Sequence, residues 1–412
     1  VHRWSQTLIP TLREAPAEAT TPSHQLMIRS GCIRQVAAGV YDFLPLGFRV
    51  LQKVSQIVRE EMDAAGAAEL LLPALVPIEL YAGTKRDEAY GDLLFKLTDR
   101  HDRTAALGPT HEETVTEMVK GSVTSYKQLP LTVYQIQTKF RDEFRPRAGL
   151  LRGREFTMKD AYSFHTRLEG EGGLNEVYDR LYQAYVNIFT RCGLDFTVVE
   201  AEAGPIGGSA SHEFMVNAET GEDTILVCPA SGYAANVEKC EIGERAWSFD
   251  APTDAALTEH HTPNMPGIDA VAAHLGVEPS GMLKSVVFQY TEGEPGWVVA
   301  VVRGDHEVNE GKVRDAAGRG VTLGDEKLAK QAGFAIGYVS PRVAATVPNT
   351  LLLIDHDATG GTWATGSDKK DHHDTGFIWS RDLGLNLPAG EGGEGPVRVA
   401  EIRNAEAGDR SP

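Results

Sequence analysis

The sequence predicts an α+β protein with an antiparallel sheet in its first half, and three observations support this fold class. Residues 132–143 alternate between apolar and polar side chains, and a second alternating run follows over 154–164. Residues 48–65 and 175–192 carry apolar side chains at helical spacing. After about residue 222, strand-like runs such as KSVVFQY alternate with helical stretches such as IDAVAAHLG, which predicts a second α+β domain.

The composition is that of a folded protein and limits its partners. Hydrophobic residues make up 42% of the 412 residues, which excludes a disordered chain. The net charge of -18 argues against general coating of DNA or RNA. Four cysteines are too few for a disulfide scaffold, no apolar run is long enough to span a membrane, and the first residues lack a signal peptide's apolar core. We therefore expect a cytoplasmic protein with neither DNA nor a membrane as partner.

Each predicted helix has an apolar stripe and a glycine at its end. The stripe of residues 48–65 consists of Leu51, Val54, Ile57, Val58, Met62 and Ala65, with Gly66 after it. The stripe of residues 175–192 consists of Val177, Leu181, Ala184, Ile188 and Cys192, with Gly193 after it. Glycine readily adopts the left-handed conformation that ends many helices. Between the helices, AELLLPALVP predicts a short strand that is broken by Pro73.

The two alternating runs predict a hairpin with one apolar and one polar face. The polar face of its first strand carries Gln135, Gln137, Lys139, Arg141 and Glu143. From Lys139 to Lys159 there are seven basic and three acidic residues, a net charge of +4 within an acidic chain. Two interpretations are open at this point. The hairpin is either a site for a nucleoside triphosphate, whose phosphates suit arginine forks, or an exposed hairpin with surface salt bridges.

Four stretches resemble motifs of the class II aminoacyl-tRNA synthetases, and in detail those of the bacterial-type prolyl-tRNA synthetases. TKFRDEFRPRAGLLRGREFTMKDAYSFH resembles motif 2, and GVYDFLPLGFRVLQKVSQIVREEMDAAGAAELLLPAL resembles motif 1. LGPTHEE resembles the Thr-x-Glu loop of this family, and GPIGGSASHEF resembles a glycine-rich segment of its core. The resemblance implies a class II antiparallel-sheet catalytic core, incomplete here, and an inserted α+β editing domain.

For ATP, the resemblance implies four contacts within motif 2. Arg141 would hold the α-phosphate together with the proline carboxylate, and is the first catalytic residue. Arg152 would approach the pyrophosphate and the tRNA end, and is the second. Glu143 would bind the adenine amino group, and Phe156 would stack on the adenine ring. Mg²⁺ is expected with ATP, and no metal bound by the protein itself is expected.

For proline, the resemblance implies that Thr110 and Glu112 hold the imino group and that Arg141 meets the carboxylate. His212, followed by Glu213, would lie near this pocket. A second interpretation of Thr110 and Glu112 is open as well, because PTHEE before an apolar-periodic run also predicts a helix N-cap.

Residues 225–402 resemble the editing insertion of the same family, which hydrolyses alanine mischarged on the proline tRNA. The resemblance implies the editing residues Lys284, Gly337, Asp355 and His373, and RGDHEVNEGK also matches the family pattern. Outside the resemblance, Lys284 is equally a surface charge. The adjacent histidines of DHHD would point to opposite faces of a strand and so not bind one metal ion. Cys228 and Cys240 have no partner in a C-x-x-C motif, which argues against zinc.

The domains expected are a catalytic core with motifs 1 and 2 over residues 1–224, the editing domain over 225–402, and the start of a return to the core over 403–412. No motif 3 and no anticodon-binding domain are found. The implied function is that of a proline–tRNA ligase with editing, acting on proline, ATP and tRNA(Pro), and a homodimer is expected. The alternatives are a chain active only as a deacylase and a non-catalytic paralogue that binds tRNA. Threonine specificity is disfavoured because no zinc-binding set is visible.

Overall fold

The computed structural model describes residues 3–201, 211–245, 254–387, 392 and 395–412. The chain divides into two compact units. Unit 1 comprises Val1–Thr197 and Phe214–Gly221, and unit 2 comprises Val198–Glu213 and Glu222–Pro412. Each unit is described by itself, and the predicted domain boundaries at 224 and 402 stay predictions.

The helices of unit 1 include both helices predicted from the sequence. They are α1 (Pro22–Arg29), α2 (Pro45–Ala64), α3 (Ile78–Ala82), α4 (Arg86–Tyr90), α5 (Glu112–Ser122) and α6 (Leu174–Arg191). The predictions for 48–65 and 175–192 are therefore confirmed as α2 and α6. Val58 and Met62 of α2 pack in one core cluster with Leu181 of α6. Gly66 and Gly193 follow these helices with φ angles of 84° and 72°, as a left-handed helix end requires.

The strands of unit 1 include the predicted hairpin. They are β1 (Ile33–Ala37), β2 (Val40–Phe43), β3 (Ala68–Glu69), β4 (Leu75–Pro77), β5 (Lys96–Thr98), β6 (Thr104–Leu107), β7 (Leu131–Phe140) and β8 (Glu155–Phe164). β1 pairs with β2, and the other sheets have the orders β3-β7-β8 and β4-β6-β5. β7 and β8 pair antiparallel in unbroken register from Leu131↔Phe164 to Phe140↔Glu155, which confirms the hairpin. β9 (Phe196–Glu200) and β10 (His212–Val216) cross the division between the units.

Both faces of β7 are covered, so the interpretation as an exposed hairpin is wrong for this strand. Tyr134 on one face and Gln135 and Lys139 on the other have no exposed surface. The polar face is buried because its amides bind the irregular segment 70–74. The Leu72 N–H donates to Gln135 Oε1 at 3.0 Å, and Gln137 Nε2 donates to the Leu72 carbonyl at 2.8 Å. The predicted strand AELLLPALVP is thus reduced to its two ends, β3 and β4.

Unit 2 confirms the predicted second α+β domain. Its strands are β11 (Ile225–Val227), β12 (Ala234–Asn236), β13 (Thr258–His261), β14 (Leu283–Tyr290), β15 (Trp297–Arg303), β16 (Val321–Leu323), β17 (Thr350–Asp355), β18 (Trp363–Gly366), β19 (His372–Phe377) and β20 (Val397–Ala400). Its helices are α7 (Ile268–Leu275), α8 (Glu310–Ala317), α9 (Glu326–Ala332) and α10 (Trp379–Asp382). The main sheet has the order β16-β14-β15-β17-β20, and a second sheet has the order β13-β19-β18.

The main sheet of unit 2 has a core on each face. Val299 and Val301 of β15 belong to one cluster, and the alternating Val298 and Ala300 belong to the other. All six residues of β17 are buried, which is typical of a strand covered on both faces. None of the helices among the described residues of the chain is long and apolar enough to cross a membrane.

Candidate active sites

Arg141 lies where the strand β7 ends, beside Phe156 of the returning strand. Its N–H donates to the Arg154 carbonyl at 2.9 Å, which holds the hairpin closed just beyond the ladder. The guanidinium carbon of Arg141 lies 5.3 Å from the centre of the Phe156 ring. Arg141 Nε is buried and has no hydrogen-bond partner among the residues that the structure describes. The structure thus brings together Arg141 and Phe156, two of the predicted ATP residues, and leaves the N–H at Arg141 Nε without a partner among the described residues.

The predicted proline loop lies against the same end of β7. The Phe140 N–H donates to the Gly108 carbonyl at 3.2 Å. α5 begins at Glu112 with His111 as its N-cap, and no side chain caps it. Thr110 is 6% exposed, and its hydroxyl has no hydrogen-bond partner within the described ranges. The N-cap interpretation of Thr110 is therefore wrong, and its hydroxyl is left to bind something else.

Glu112 forms an ion pair that sequence reasoning missed. Its Oε2 lies 3.0 Å from Arg86 Nη1, and the same nitrogen lies 3.0 Å from Glu113 Oε1. Arg86 Nη2 also donates to the Tyr90 hydroxyl at 2.6 Å. Arg86 opens the short helix α4, directly after Lys85, whose φ of 58° turns the chain. No periodicity marks so short a helix, so this contact could not be predicted from the sequence.

The other two predicted ATP residues bind each other. Arg152 Nε donates to Glu143 Oε2 at 3.0 Å, and the Glu143 side chain is 12% exposed against 46% for Arg152. The loop between the strands turns through Ala148 and Gly149, which have φ angles of 55° and 66°. Glu143 and Arg152 are thus brought together at the base of the motif 2 loop.

A buried polar network lies beneath the proline loop, and it too was missed. Lys139 Nζ lies 2.9 Å from Asp160 Oδ1 and 2.5 Å from His111 Nδ1. Burial lowers the pKa of Lys139, although Asp160 opposes this change. Burial and the neighbouring ammonium lower the pKa of His111. The only sequence signal was that Lys139 shares a face of β7 with two glutamines.

His212 stays a prediction. It is exposed at the start of β10 and belongs to unit 2, whereas Thr110 and Arg141 belong to unit 1. Most of the glycine-rich segment GPIGGSASHEF, in which it lies, falls outside the described residues.

In unit 2, three of the four predicted editing residues line one cavity of about 760 Å³: Lys284, Gly337 and His373. Lys284 Nζ donates to Glu307 Oε1 at 2.7 Å, so its charge is paired at the cavity wall. Gly337 has a φ of 89°, and a Cβ there would lie 2.9 Å from Pro266 Cβ. A side chain at this position would therefore be strained and crowded. Asp305 of the RGDHEVNEGK stretch also lines the cavity.

His373 is held as a neutral imidazole. It is 5% exposed, and its Nδ1 lies 2.7 Å from the Thr262 hydroxyl. Burial, with a smaller contribution from His372, lowers the pKa of His373 to about 4. Its neighbour His372 pairs across the sheet with His261, and their rings lie 5.0 Å apart. Only His373 of the two lines the cavity, as the opposite orientation of adjacent strand residues predicts.

The fourth predicted editing residue, Asp355, is not among the residues that line this cavity. It is fully buried at the end of β17, where its Oδ2 accepts from the Ile402 N–H at 2.9 Å. With His306 and Asp357 it forms a group whose ligand atoms lie within 4.8 Å of one another, as a metal site would require. Arg245 and Arg403 instead bind Asp357 at 2.9 Å and 2.7 Å, so arginines balance this charge.

Comparisons with known proteins first give the class. Residues 95–313 match the model of the "tRNA synthetase class II core domain (G, H, P, S and T)", and residues 262–382 match that of the "Aminoacyl-tRNA editing domain". A class II aminoacyl-tRNA synthetase core with an editing domain is therefore present in one chain.

Curated relatives then give the family. A proline–tRNA ligase of Geobacillus sp. (strain WCH70) is 46% identical over 413 residues, covering 100% of this chain and 69% of the relative. One of Nitratidesulfovibrio vulgaris (strain DP4) is 46% identical over 389 residues, covering 94% and 66%. The chain belongs to the proline–tRNA ligase family and spans about two thirds of these relatives. A solved prolyl-tRNA synthetase of Cryptosporidium parvum overlaps 55% of this chain and 44% of its own at 16% identity, with a TM-score of 0.43, too low to carry an argument.

Proposed function

We propose that this chain activates proline with ATP to prolyl-adenylate, transfers the prolyl group to tRNA(Pro), and hydrolyses alanyl-tRNA formed in error. One observation supports the activation step most. Two buried polar atoms without partners among the described residues, Thr110 Oγ1 and Arg141 Nε, belong to segments joined by the Phe140–Gly108 hydrogen bond. Buried polar groups are rarely left unpaired, so these two suit a ligand that is both cationic and anionic.

In the activation step, the Thr110 hydroxyl and the Glu112 carboxylate would bind the secondary ammonium of proline. Arg141 would hold the proline carboxylate and the α-phosphate together. The carboxylate oxygen attacks the α-phosphorus in line, the bond to the pyrophosphate oxygen breaks, and pyrophosphate leaves. Positioning and a fixed cation carry such a reaction, and no side-chain nucleophile is required.

Binding of ATP would have to replace a contact that exists without it, whereas proline would share a carboxylate that is already in an ion pair. Arg86 occupies Glu112 Oε2 at 3.0 Å, so the proline ammonium would meet the other carboxylate oxygen. Arg152 occupies Glu143 at 3.0 Å, and would leave it to reach the pyrophosphate while Glu143 accepts from the adenine amino group. Phe156 would stack on the adenine. Mg²⁺ would enter with ATP as part of the substrate, and we assign it no residue of this chain.

In the transfer step, a ribose hydroxyl of the tRNA end attacks the carbonyl carbon of prolyl-adenylate, and AMP leaves. Arg152, in the motif 2 loop, would lie near the tRNA end.

The editing step would take place in the unit 2 cavity. A pocket that accepts proline cannot strongly reject the smaller alanine, so a second site is needed. Lys284 would contact the tRNA end, the backbone N–H groups near Gly337 would meet the ester, and His373 would limit the size of the amino acid. Asp355 would act indirectly, by fixing the chain around Ile402 through its hydrogen bond to the Ile402 N–H.

Two further proposals concern assembly and location. Phe48, Val50 and Val54 of α2 are 49%, 57% and 39% exposed, and such a run of apolar side chains suits a homodimer contact. The cytoplasm is the proposed location, because the partners tRNA(Pro), proline and ATP are those of translation.

The test of the proposed function is proline-dependent exchange between ATP and pyrophosphate by the 412-residue chain. We expect exchange with proline and weaker exchange with alanine, and none with threonine. Hydrolysis of alanyl-tRNA(Pro), with prolyl-tRNA(Pro) as control, tests the editing step separately. A folded chain that exchanges equally with all three amino acids would contradict the proline assignment.

A further inference from the structure

Lys139 is fully buried on the polar face of β7, although lysine is almost never buried without a partner. Its partner Asp160, on β8, also accepts from Gln135 Nε2 at 2.9 Å and from the Tyr162 hydroxyl at 2.5 Å. A buried ion pair adds little to stability, because the desolvation of both charges offsets their attraction. The pair therefore calls for a role other than stability.

The network fixes both the ring and the backbone of His111, the middle residue of the Thr-His-Glu sequence. An ammonium has only donors, so Lys139 donates to His111 Nδ1 at 2.5 Å. The other ring nitrogen then carries the proton and donates to the Pro73 carbonyl, 2.9 Å from His111 Nε2. The His111 N–H donates to the Tyr162 hydroxyl at 3.0 Å, and Tyr162 is itself bound to Asp160.

The consequence is a fixed spacing between two parts of the proposed proline site. Thr110 and Glu112 are the residues on either side of His111. Lys139 lies near the end of β7, and Arg141 directly follows the last residue of this strand, so the contacts to the loop and the arginine meet at one strand end. The Tyr81 hydroxyl donates to the Thr110 carbonyl at 3.2 Å, and the Thr110 hydroxyl has no hydrogen-bond partner among the residues that the structure describes.

We propose that the buried Lys139–Asp160 pair is a positioning device that holds His111, and through it sets Thr110 and Glu112 for the imino group of proline. This inference rests on the proposed function. Neither residue takes part in the reaction. Their removal should therefore weaken the binding of proline far more than the binding of ATP.

The experiment replaces both charges at once with Lys139→Met and Asp160→Asn, which leaves no unpaired buried charge. The matched control is Arg59→Met with Glu69→Gln, an ion pair of 2.9 Å in the same unit whose side chains are 38% and 37% exposed. Circular dichroism checks the fold of each variant. Hydrogen exchange of the peptide 108–114 reports the loop, and ATP–pyrophosphate exchange gives KM for proline and for ATP.

We expect the paired substitution to speed hydrogen exchange of peptide 108–114 and to raise KM for proline by about ten-fold or more, because small misplacements of binding groups are costly. KM for ATP should change by less than about two-fold, since the paired substitution leaves the residues proposed to bind ATP unchanged. The control should change neither. Unaltered hydrogen exchange in a folded variant, or an equal rise in both KM values, would overturn the proposal.

If the paired variant does not fold, His111→Ala takes its place, because it keeps the Lys139–Asp160 pair and removes only the ring that the pair holds. The same faster exchange and selective rise in KM for proline are expected, and their absence would overturn the proposal. If the unchanged chain shows no proline-dependent exchange, the proposed function fails. Hydrogen exchange of peptide 108–114 then decides alone whether the pair holds the loop.

Discussion

The candidate sites of the two units differ in the charges that they contain. In unit 1, a lysine and an aspartate are buried beneath the site, and Arg141 Nε has no hydrogen-bond partner within the described part of the chain. In unit 2, His373 is kept neutral by burial, and the lysine of the cavity is already paired with Glu307 at 2.7 Å. The first site is arranged around fixed charges, and the second around the shape of a cavity of about 760 Å³.

The difference fits the two reactions that we propose. Attack on an α-phosphorus builds up negative charge, and a cation held in place before the reaction stabilises it. Discrimination between alanyl and prolyl esters is a question of size, for which a rigid neutral wall is sufficient. Four substitutions test this contrast.

Arg141→Ala should have the largest effect. We expect proline-dependent ATP–pyrophosphate exchange to fall by about 1,000-fold, because a fixed charge at the reacting phosphate is lost. The control is Arg103→Ala, whose side chain is 75% exposed and forms an ion pair with Asp99 at 2.8 Å. Exchange at the unchanged rate in the Arg141 variant would show that the site lies elsewhere.

His373→Ala should change selectivity in unit 2. A shorter side chain enlarges the cavity, so the preference for alanyl-tRNA over prolyl-tRNA in hydrolysis should fall by about 100-fold at most, the range that one missing group gives. His372→Ala is the matched control, because this neighbour is absent from the cavity wall. Equal ratios in the wild type and the His373 variant would argue against this cavity.

The low pKa of His373 predicts the direction in which the free energy of unfolding changes with pH. Its pKa is about 4 in the folded chain and about 6.5 when unfolded, so the unfolded state binds more protons between these values. The free energy of unfolding should therefore fall as the pH drops from 6.5 towards 4, by about 2 kcal/mol at pH 5 from this residue. Asp368, whose pKa is raised to about 6 by burial, changes stability in the opposite direction.

Because several groups titrate together, the measurement is the difference in unfolding free energy between the wild type and His373→Asn at pH 7 and at pH 5. Urea unfolding followed by tryptophan fluorescence gives both values. The variant should lose less stability on acidification than the wild type does. An identical loss in both proteins would mean that His373 is not held neutral.

Thr110→Val should have the smallest effect of the four. It should weaken the binding of proline without lowering the stability of the fold. Its hydroxyl has no partner among the described residues, so its removal should leave the free energy of unfolding unchanged or raise it by about 1 kcal/mol. KM for proline should rise by about ten-fold, the value of one hydrogen bond.

The control for this variant is Thr84→Val, because the Thr84 hydroxyl lies within hydrogen-bond distance of two acceptors, the Tyr81 carbonyl at 3.0 Å and Glu113 Oε1 at 3.1 Å. It should lose about 1 kcal/mol of stability, since it removes a hydrogen bond of the folded chain. If Thr110→Val lost as much stability as the control, the proposal that the Thr110 hydroxyl serves to bind a ligand would be contradicted.

Much of the fold followed from local pattern. The stripes of α2 and α6 and the alternation of β7 and β8 are strong because each runs through ten or more residues. The short helix α4 and the segment 70–74 did not follow, since their shape depends on side chains from distant parts of the chain. The burial of Lys139 did not follow either. Alternation separates the two faces of a strand, but it does not tell what covers the polar one.

The residues of the candidate site were predicted from the resemblance to a known family more than from local sequence patterns. The interpretation of Thr110 as an N-cap is typical of what a local motif predicts, and only the tertiary contacts of His111 exclude it. Arg86 could not be foreseen, because it reaches Glu112 from 26 residues away. The editing role of Asp355 stays a prediction from the resemblance, since this residue is not among those that line the cavity and accepts from the Ile402 N–H.

The most direct test of two separate sites is to measure both reactions on the same two variants. Arg141→Ala and His373→Ala are each assayed for proline-dependent ATP–pyrophosphate exchange and for hydrolysis of alanyl-tRNA(Pro) and prolyl-tRNA(Pro). We expect the first variant to lose exchange and keep hydrolysis, and the second to keep exchange and lose its preference for the alanyl ester. Loss of both activities in either folded variant, or of neither, would contradict the account.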